Sequence, residues 1–231
     1  MKNIRILAYH KVNDSGTGAL DVPVKNFEQQ MEYLKIHRYN VISLDELVEK
    51  LRNKKMVKEK SVVLTFDDGH RDNYTFAYPV LKKYNFPATI FLTTSYIGSK
   101  DFLSWEQIGE MSGEKFPEKN RISFGAHTAT HPHLTRISLE NARDEIKKSK
   151  EIIEDKTGIL CSYFCYPYGD MNEEIKKIVQ ECGYIAAVVT PPRSGIKEDI
   201  FCLKRVGIYR HTTMLQFRLK LWGFYSWIKN R

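Results

Sequence analysis

The chain is poor in cysteine, with four in 231 residues, at Cys161, Cys165, Cys182 and Cys202. That number is too small for a disulfide framework, and Cys161 and Cys165 form a C-x3-C with no second pair, which argues against a structural zinc site. All four are expected as reduced, mostly buried thiols. No uninterrupted apolar run is long enough to cross a bilayer. The N-terminal residues Met1 to His10 lack a long apolar core and a small-residue cleavage site, so a secretory leader is not expected. The expected location is therefore the cytoplasm, with the inner face of the membrane as the alternative. Low-complexity stretches, linkers and internal repeats are also missing, and the length suits one domain with a sizeable core.

Acidic residues are absent from one region in particular. Leu203 to Arg231 contains seven Lys or Arg and no Asp or Glu, which accounts for +7 of the net +8. The remaining residues are nearly neutral, no basic stripe crosses the body, and no nucleic-acid-binding motif accompanies the charge; nucleic acid is not an expected partner.

Against this background, one stretch stands out. Val62, Val63 and Leu64 read as a short buried strand that runs into Thr65-Phe66-Asp67-Asp68-Gly69. Adjacent residues of an extended segment point to opposite sides, so the two carboxylates suit a division of labour: one binds a metal and the other stays free as a base. The plainer alternative is a polar turn capping the next helix.

A second cluster weighs against that alternative. The chain has seven histidines, and three of them, His127, His131 and His133, fall within seven residues. Two imidazoles four apart reach one cation if the backbone makes a single helical turn, which Pro132 would end. With a carboxylate from elsewhere, the set leaves open positions on zinc or a similar metal, as hydrolysis requires. Solvated loop histidines are the competing reading.

These motifs resemble those of the polysaccharide deacetylases of carbohydrate esterase family four. Thr-Phe-Asp-Asp-Gly stands unaltered at Thr65 to Gly69, and His-Ser/Thr-x-x-His stands at His127 to His131. The third motif, Arg-x-Pro-Tyr-Gly, appears as Cys165-Tyr166-Pro167-Tyr168-Gly169, without its arginine. Leu7-Ala8-Tyr9-His10 has the Leu-x-x-His form that most of the family carries near the C-terminus. Its position here is similar to the circularly permuted branch that includes the biofilm poly-N-acetylglucosamine deacetylases.

The resemblance implies a metal-dependent carbohydrate N-deacetylase, a hydrolase of carbon–nitrogen bonds other than peptide bonds. It implies a divalent cation, Zn²⁺ first and Co²⁺, Ni²⁺ or Mn²⁺ otherwise, held by Asp68, His127 and His131. Asp67 is the implied base, His10 the acid, and the backbone N–H of Tyr168 a donor to the oxyanion. Trp105, Tyr166, Pro167 and Arg205 are the candidates for the substrate side. Arg205 is also the candidate replacement for the missing arginine, which in the family orients the base. The substrate is an N-acetylated polysaccharide or oligosaccharide. The alternatives are a lipid-linked sugar at the cytoplasmic membrane face and an inactive carbohydrate-binding module.

Strand and helix patterns alternate from Ile4 to Val206, which means parallel strands with crossover helices. Seven or eight strand candidates read as an α/β barrel, and the family's distorted (β/α)7 barrel agrees. The expected organisation is a single barrel domain over residues 1–210 and a basic aromatic helix over 211–231. Met214, Phe217, Leu221, Phe224, Tyr225 and Ile228 fall on one face of that amphipathic helix. Either it packs on the barrel, or it seats at an anionic bilayer with Trp222 and Trp227 at headgroup depth.

Overall fold

In a computed structural model that describes residues 4–113, 122–190 and 199–223, strands and helices alternate along the chain. In order they are β1 (Ile4–Tyr9), β2 (Lys11–Val12), β3 (Asp21–Val22), α1 (Val24–Ile36), β4 (Asn40–Val41), α2 (Leu44–Arg52), β5 (Ser61–Phe66), α3 (Tyr78–Tyr84) and β6 (Ala88–Leu92). There follow α4 (Trp105–Ser112), β7 (Ile122–Ala126), α5 (Leu139–Thr157), β8 (Tyr163–Cys165), α6 (Glu173–Glu181), β9 (Ala186–Val189), β10 (Leu203–Gly207) and α7 (Met214–Trp222).

Seven of these strands form a ring in the order β1-β10-β9-β8-β7-β6-β5, and β1 closes it by pairing with β5 from Ile4↔Ser61 to Tyr9↔Phe66. Every pairing in the ring is parallel. The ring is uneven: β7 and β8 share only Ala126↔Phe164, whereas β6 and β7 share a five-residue register. This is the distorted (β/α)7 barrel the motifs imply.

Alternation along the strands sorts side chains between the lumen and the helix-facing layer. Ile6, Val63, Phe91, Tyr163, Cys165, Val188 and Leu203 make one buried cluster with Leu44, Leu47 and Val48 of α2, which therefore plugs the N-terminal end of the barrel. Leu7, Leu64, Phe66, Ile90 and Leu92 belong to the outer cluster shared with α1, α5 and α6. The lumen is tight. A Cβ on Gly125 would lie 2.7 Å from the Phe91 ring, so only glycine lets β7 pass that side chain.

The helices start and stop for local reasons. Ser43 accepts a hydrogen bond from Glu46 N at 3.0 Å, and the Glu46 carboxylate pairs with Lys50 at 2.6 Å. Asn172 caps α6 by accepting from Ile175 N. A wide π-type turn over Asn73–Ala77 leads into α3.

Within the described residues the C-terminal helix α7 covers Met214–Trp222. Thr213 and Gln216 form a capping box, and Gly223 ends α7 in the left-handed region at φ 84°. Phe224, Tyr225, Trp227 and Ile228 lie outside the described residues. Phe217 is fully buried and meets Tyr33 of α1 edge-on, while Lys220 Nζ donates to Gly207 O at 2.7 Å. The apolar face of α7 is thus occupied by the barrel; Leu215 and Trp222 are its exposed large apolar residues. Among the described residues no helix is long and apolar enough to cross a membrane.

All four cysteines are free, with Cys182 half-buried and the others buried. Burial pushes the Cys161 thiol up to about 12, which keeps it protonated and unreactive at neutral pH.

If α7 is an integral part of the barrel, Phe217→Ala should lower stability by about 3–5 kcal/mol, the usual loss for a buried phenylalanine. Leu215→Ala, at 66% exposure, should stay within about 0.5 kcal/mol. Urea unfolding of the two variants beside the parent measures both; equal, small effects would mean that α7 contributes nothing to the fold.

Candidate active site

Strand β5 carries the two carboxylates to the C-terminal mouth. Val63, Thr65 and Asp67 share one parity, so Asp67 ends the lumen row, and Arg205 reaches the same level from the row it shares with Leu203. There Arg205 Nη1 donates to Asp67 Oδ1 at 2.7 Å and Nη2 to Oδ2 at 2.6 Å, a two-pronged pair in which each residue is 3% exposed. The fork is itself pinned. Nε donates to Thr190 Oγ1 at 2.8 Å and Nη1 to Thr65 Oγ1 at 3.0 Å, and the guanidinium lies 5.6 Å from the Phe91 ring centre.

Cys165 is beside this pair, 3.1 Å from Arg205 Nη2. The arginine missing at position 165 is therefore supplied from β10, and the small thiol leaves room for it. Burial alone would push the Asp67 carboxyl up, but the charge and hydrogen bonds of Arg205 outweigh it and hold the group at about 2. The Cys165 thiol is pushed up by its burial.

Asp68 does not continue the strand. It adopts φ 71° and Gly69 φ 75°, two successive left-handed residues that swing the second carboxylate around to the same mouth. The side-to-side separation expected of an extended segment is thereby lost, although the two acids still meet different partners. Asp68 Oδ1 is 3.6 Å from His127 Nε2 and 3.5 Å from His131 Nε2, and Oδ2 is 3.3 Å from His70 Nε2. Burial raises the Asp68 carboxyl, yet the His70 hydrogen bond and the surrounding imidazoles hold it far below the usual range.

The histidines converge without the helical turn anticipated for them. Residues 127–131 form a loop in which Thr128 and His131 are left-handed, at φ 68° and 64°, and Thr128 Oγ1 accepts from His131 N at 2.9 Å. His127 Nδ1 lies 2.8 Å from Cys165 O. A carbonyl only accepts, so Nδ1 carries the hydrogen and Nε2 presents its lone pair to the mouth. That lone pair lies 3.2 Å from His131 Nε2. Burial and the neighbouring His127 lower His131 to about 4, leaving it neutral at pH 7. One carboxylate oxygen and two imidazole nitrogens, all within 4.8 Å of one another, form a donor set that fits a divalent cation.

Other expected residues divide in two. His10, at the end of β1, places Nε2 3.8 Å from Asp67 Oδ2; burial lowers its pKa against the pull of Asp67 and Asp68. Tyr168 is left-handed at φ 57°, and its half-exposed ring stacks 4.0 Å from His133 and meets His131 edge-on at 4.6 Å. Tyr166 and Pro167, by contrast, are buried. The Tyr166 hydroxyl donates to Phe201 O at 3.0 Å, so its side chain points into the core and the expectation of substrate contact is corrected. Arg205 is corrected likewise, because its guanidinium is committed to Asp67. Trp105 is half-buried at the start of α4 and packs against the core.

Two polar side chains escaped the sequence reading. His70 follows the Asp-Asp-Gly motif directly, where a histidine looks like an ordinary turn residue, and it is 93% buried against Asp68 (7% exposed). Asp170 follows the Pro-Tyr-Gly turn, accepts from Thr135 N at 2.8 Å, and is 2% exposed. Its position one residue past a motif was the available signal.

A parallel barrel whose strand ends bring a cation-binding triad beside an ionised, arginine-held carboxylate has the architecture of a metal-assisted hydrolase. Comparison narrows the class. The sequence profile described as polysaccharide deacetylase matches residues 54–187, and the chain belongs to that family. It is 35% identical over 204 residues to the Bacillus subtilis protein YxkH, named as a polysaccharide deacetylase, covering 88% of this chain and 70% of that protein. It is 30% identical over 167 residues to the poly-beta-1,6-N-acetyl-D-glucosamine N-deacetylase of Staphylococcus epidermidis, covering 69% of this chain and 57% of that enzyme. The Streptococcus pyogenes deacetylase PplD, solved with acetate, superposes with a TM-score of 0.82 at 29% identity, over 94% of this chain and 97% of that one.

The Arg205–Asp67 pair makes two outcomes measurable. Arg205→Met leaves a buried carboxylate without its counter-charge and should lose about 3–5 kcal/mol in denaturant unfolding. Because Asp67 is held at about 2, below its value of roughly 3.9 in an unfolded chain, its contribution to stability is fully present above about pH 4 and is lost as pH falls through about 2. Asp67→Asn removes that titration, so its stability should depend less steeply on pH between roughly 5 and 2 than the parent's.

Proposed function

We propose that the protein removes N-acetyl groups from the amino sugars of a polysaccharide or oligosaccharide, with poly-N-acetylglucosamine as the leading substrate. The observation that carries this reading is the split between neighbouring carboxylates: Asp67 gripped by Arg205, Asp68 aimed at the unprotonated nitrogen of His127. Asp68, His127 and His131 would hold the cation, Zn²⁺ in the first instance. When bound, it supplies positive charge that polarises the amide carbonyl and acidifies a water, typically to a pKa of about 7, which a base as weak as Asp67 requires.

Arg205 fixes the orientation of Asp67 and keeps it ionised, while the second lone pair of each carboxylate oxygen stays available. Asp67 takes a proton from the attacking water as the new C–O bond forms. The backbone N–H of Tyr168, a left-handed residue at φ 57°, donates to the developing oxyanion in this reading. His10 delivers a proton to the nitrogen as the C–N bond breaks, so the products are acetate and a free amine. The buried position of His10, which lowers its proton affinity, makes it a ready donor once protonated.

The lipid-linked alternative drew on the C-terminal helix as a membrane element, and the occupied apolar face of α7 gives it no support. The intact catalytic set weighs against an inactive binding module.

Acetate release from N-acetylglucosamine oligomers by zinc-reconstituted protein tests the activity. Asp67→Asn should bind zinc as the parent does and lose turnover by at least about 10²-fold, the contribution expected of a positioned base. His127→Ala should weaken zinc binding itself, read by calorimetry. Near-native turnover in Asp67→Asn would remove Asp67 from its assigned role.

A further inference from the structure

No hydrogen bond fixes the direction of the His10 ring. Nδ1 is buried and has no hydrogen-bond partner, and Nε2 lies 3.8 Å from Asp67 Oδ2, beyond hydrogen-bond reach. Strand pairing does not hold the residue either. The ladder between β1 and β5 ends at Tyr9↔Phe66, Asp67 N donates to Tyr9 O at 3.0 Å, and His10 is the first residue past the end of β1. Its place at the mouth is therefore set through the backbone that carries it and the walls around it.

That backbone is held by Asn73. The residue is 1% exposed, and its Nδ2 donates to His10 O at 2.8 Å and to Asp72 Oδ1 at 3.0 Å. A carbonyl only accepts, so the amide must turn its NH2 end to His10. The other end bears the cost: Asn73 Oδ1 is buried and has no hydrogen-bond partner. An amide that leaves its oxygen unpaired in this way is oriented by its donors. Asp72 is braced in turn from the loop after β1. Its second oxygen accepts from Asn13 Nδ2 at 2.9 Å, and the Val12 backbone N–H donates to the same carboxylate. Asn13 Nδ2 also donates to Asp21 Oδ1 at 3.0 Å. The residues just past His10 are thus clipped to the turn that follows the Asp-Asp-Gly motif. Asn73 opens the wide π-type turn before α3, a distortion found mostly at functional sites.

We propose that Asn73 is a positioning residue for the proton donor: its amide, braced by Asp72, holds the His10 carbonyl and so keeps the imidazole in place beside Asp67. The hydrogen bonds of Asn73 and Asp72 go to His10 and the loop after it, not to the cation-binding set. The proposal rests on the deacetylase reading, with His10 as the acid. As the C–N bond breaks, His10 passes its proton to the departing nitrogen, and the transfer is only as efficient as the ring is well placed. A displacement of about 1 Å costs on the order of 10² in rate.

A double-substitution cycle on zinc-loaded protein, read as acetate release from N-acetylglucosamine oligomers, tests the assignment. Asn73→Leu keeps the shape of the side chain and removes its donor. Alone it should lower kcat about 10–100-fold, with KM and zinc affinity within about 3-fold of the parent, because the effect falls on the proton step. In a His10→Ala background the same change should cost less than about 2-fold, since the group it positions is gone. Asp72→Asn keeps one oxygen to accept from Asn73 and should follow the same pattern with a loss of about 3–10-fold, the weight of a weakened hydrogen bond. That variant decides the question where the leucine variant does not fold. Losses that add in the double variant, or a raised KM with kcat intact, overturn the positioning role. Near-parental turnover in His10→Ala, or a parent that releases no acetate, defeats the underlying reading and the positioning role with it.

Discussion

The ion pair between Asp67 and Arg205 is the constraint around which the barrel mouth is arranged. Taking both charges out of water is costly, and the pair is tolerated because the fork is bidentate and its remaining hydrogens find Thr65 and Thr190. The consequences spread outward. Position 165 must be small enough to admit the guanidinium, and a cysteine stands there, 3.1 Å away. Phe91 must lie beneath the arginine, and Gly125 must make room for Phe91. The need for an oriented carboxylate is thus met by an arginine from β10.

Around that fixed pair the backbone is bent into uncommon shapes. Among the described residues, eight non-glycine residues have positive φ, and Asp68, Thr128, His131 and Tyr168 among them bear on the mouth. Such conformations cost on the order of 1 kcal/mol or more each and persist where the surroundings impose them. Three of them bring site groups together: Asp68 leaves the strand alternation, His131 turns back to face His127, and Tyr168 sets its ring against His131 and His133. The donor set is therefore a property of two loops, after β5 and after β7, held by a stiff parallel sheet, in keeping with sites at the C-terminal ends of barrel strands.

Much of this could be read in the chain. The strand and helix alternation identified the ring strands because parallel strands, covered on both faces, leave short apolar runs such as Val62, Val63 and Leu64. The caps at Ser43, Ser138 and Thr213 are local too, each accepting from a backbone N–H three residues on. What stayed hidden depended on three-dimensional juxtaposition. The helical turn expected between His127 and His131 is instead a loop, since a spacing of four does not distinguish a helix from two left-handed kinks. Tyr166 looked like part of a cleft because of the motif it stands in; its ring is buried instead, with the hydroxyl on Phe201 O. His70 and Asp170 lay one residue beyond recognisable motifs, and only burial against a partner reveals them.

The closure of the ring by β1 has a consequence for the order in which the molecule can be made. Asp67 precedes Arg205 by 138 positions, and β1 finds its second neighbour only when β10 is present. Until then a carboxylate destined for the interior has no counter-charge, and the first strand has one free edge. A nascent chain that has emerged only through β9 thus carries both a water-seeking acid and an unpaired strand at what will become its centre. Long-range pairing of this kind slows folding and leaves partly built forms exposed. The last strand of the ring to leave the ribosome therefore seals the barrel and neutralises its interior in one event, so that a chain lacking β10 differs from one that includes it by a whole cooperative step.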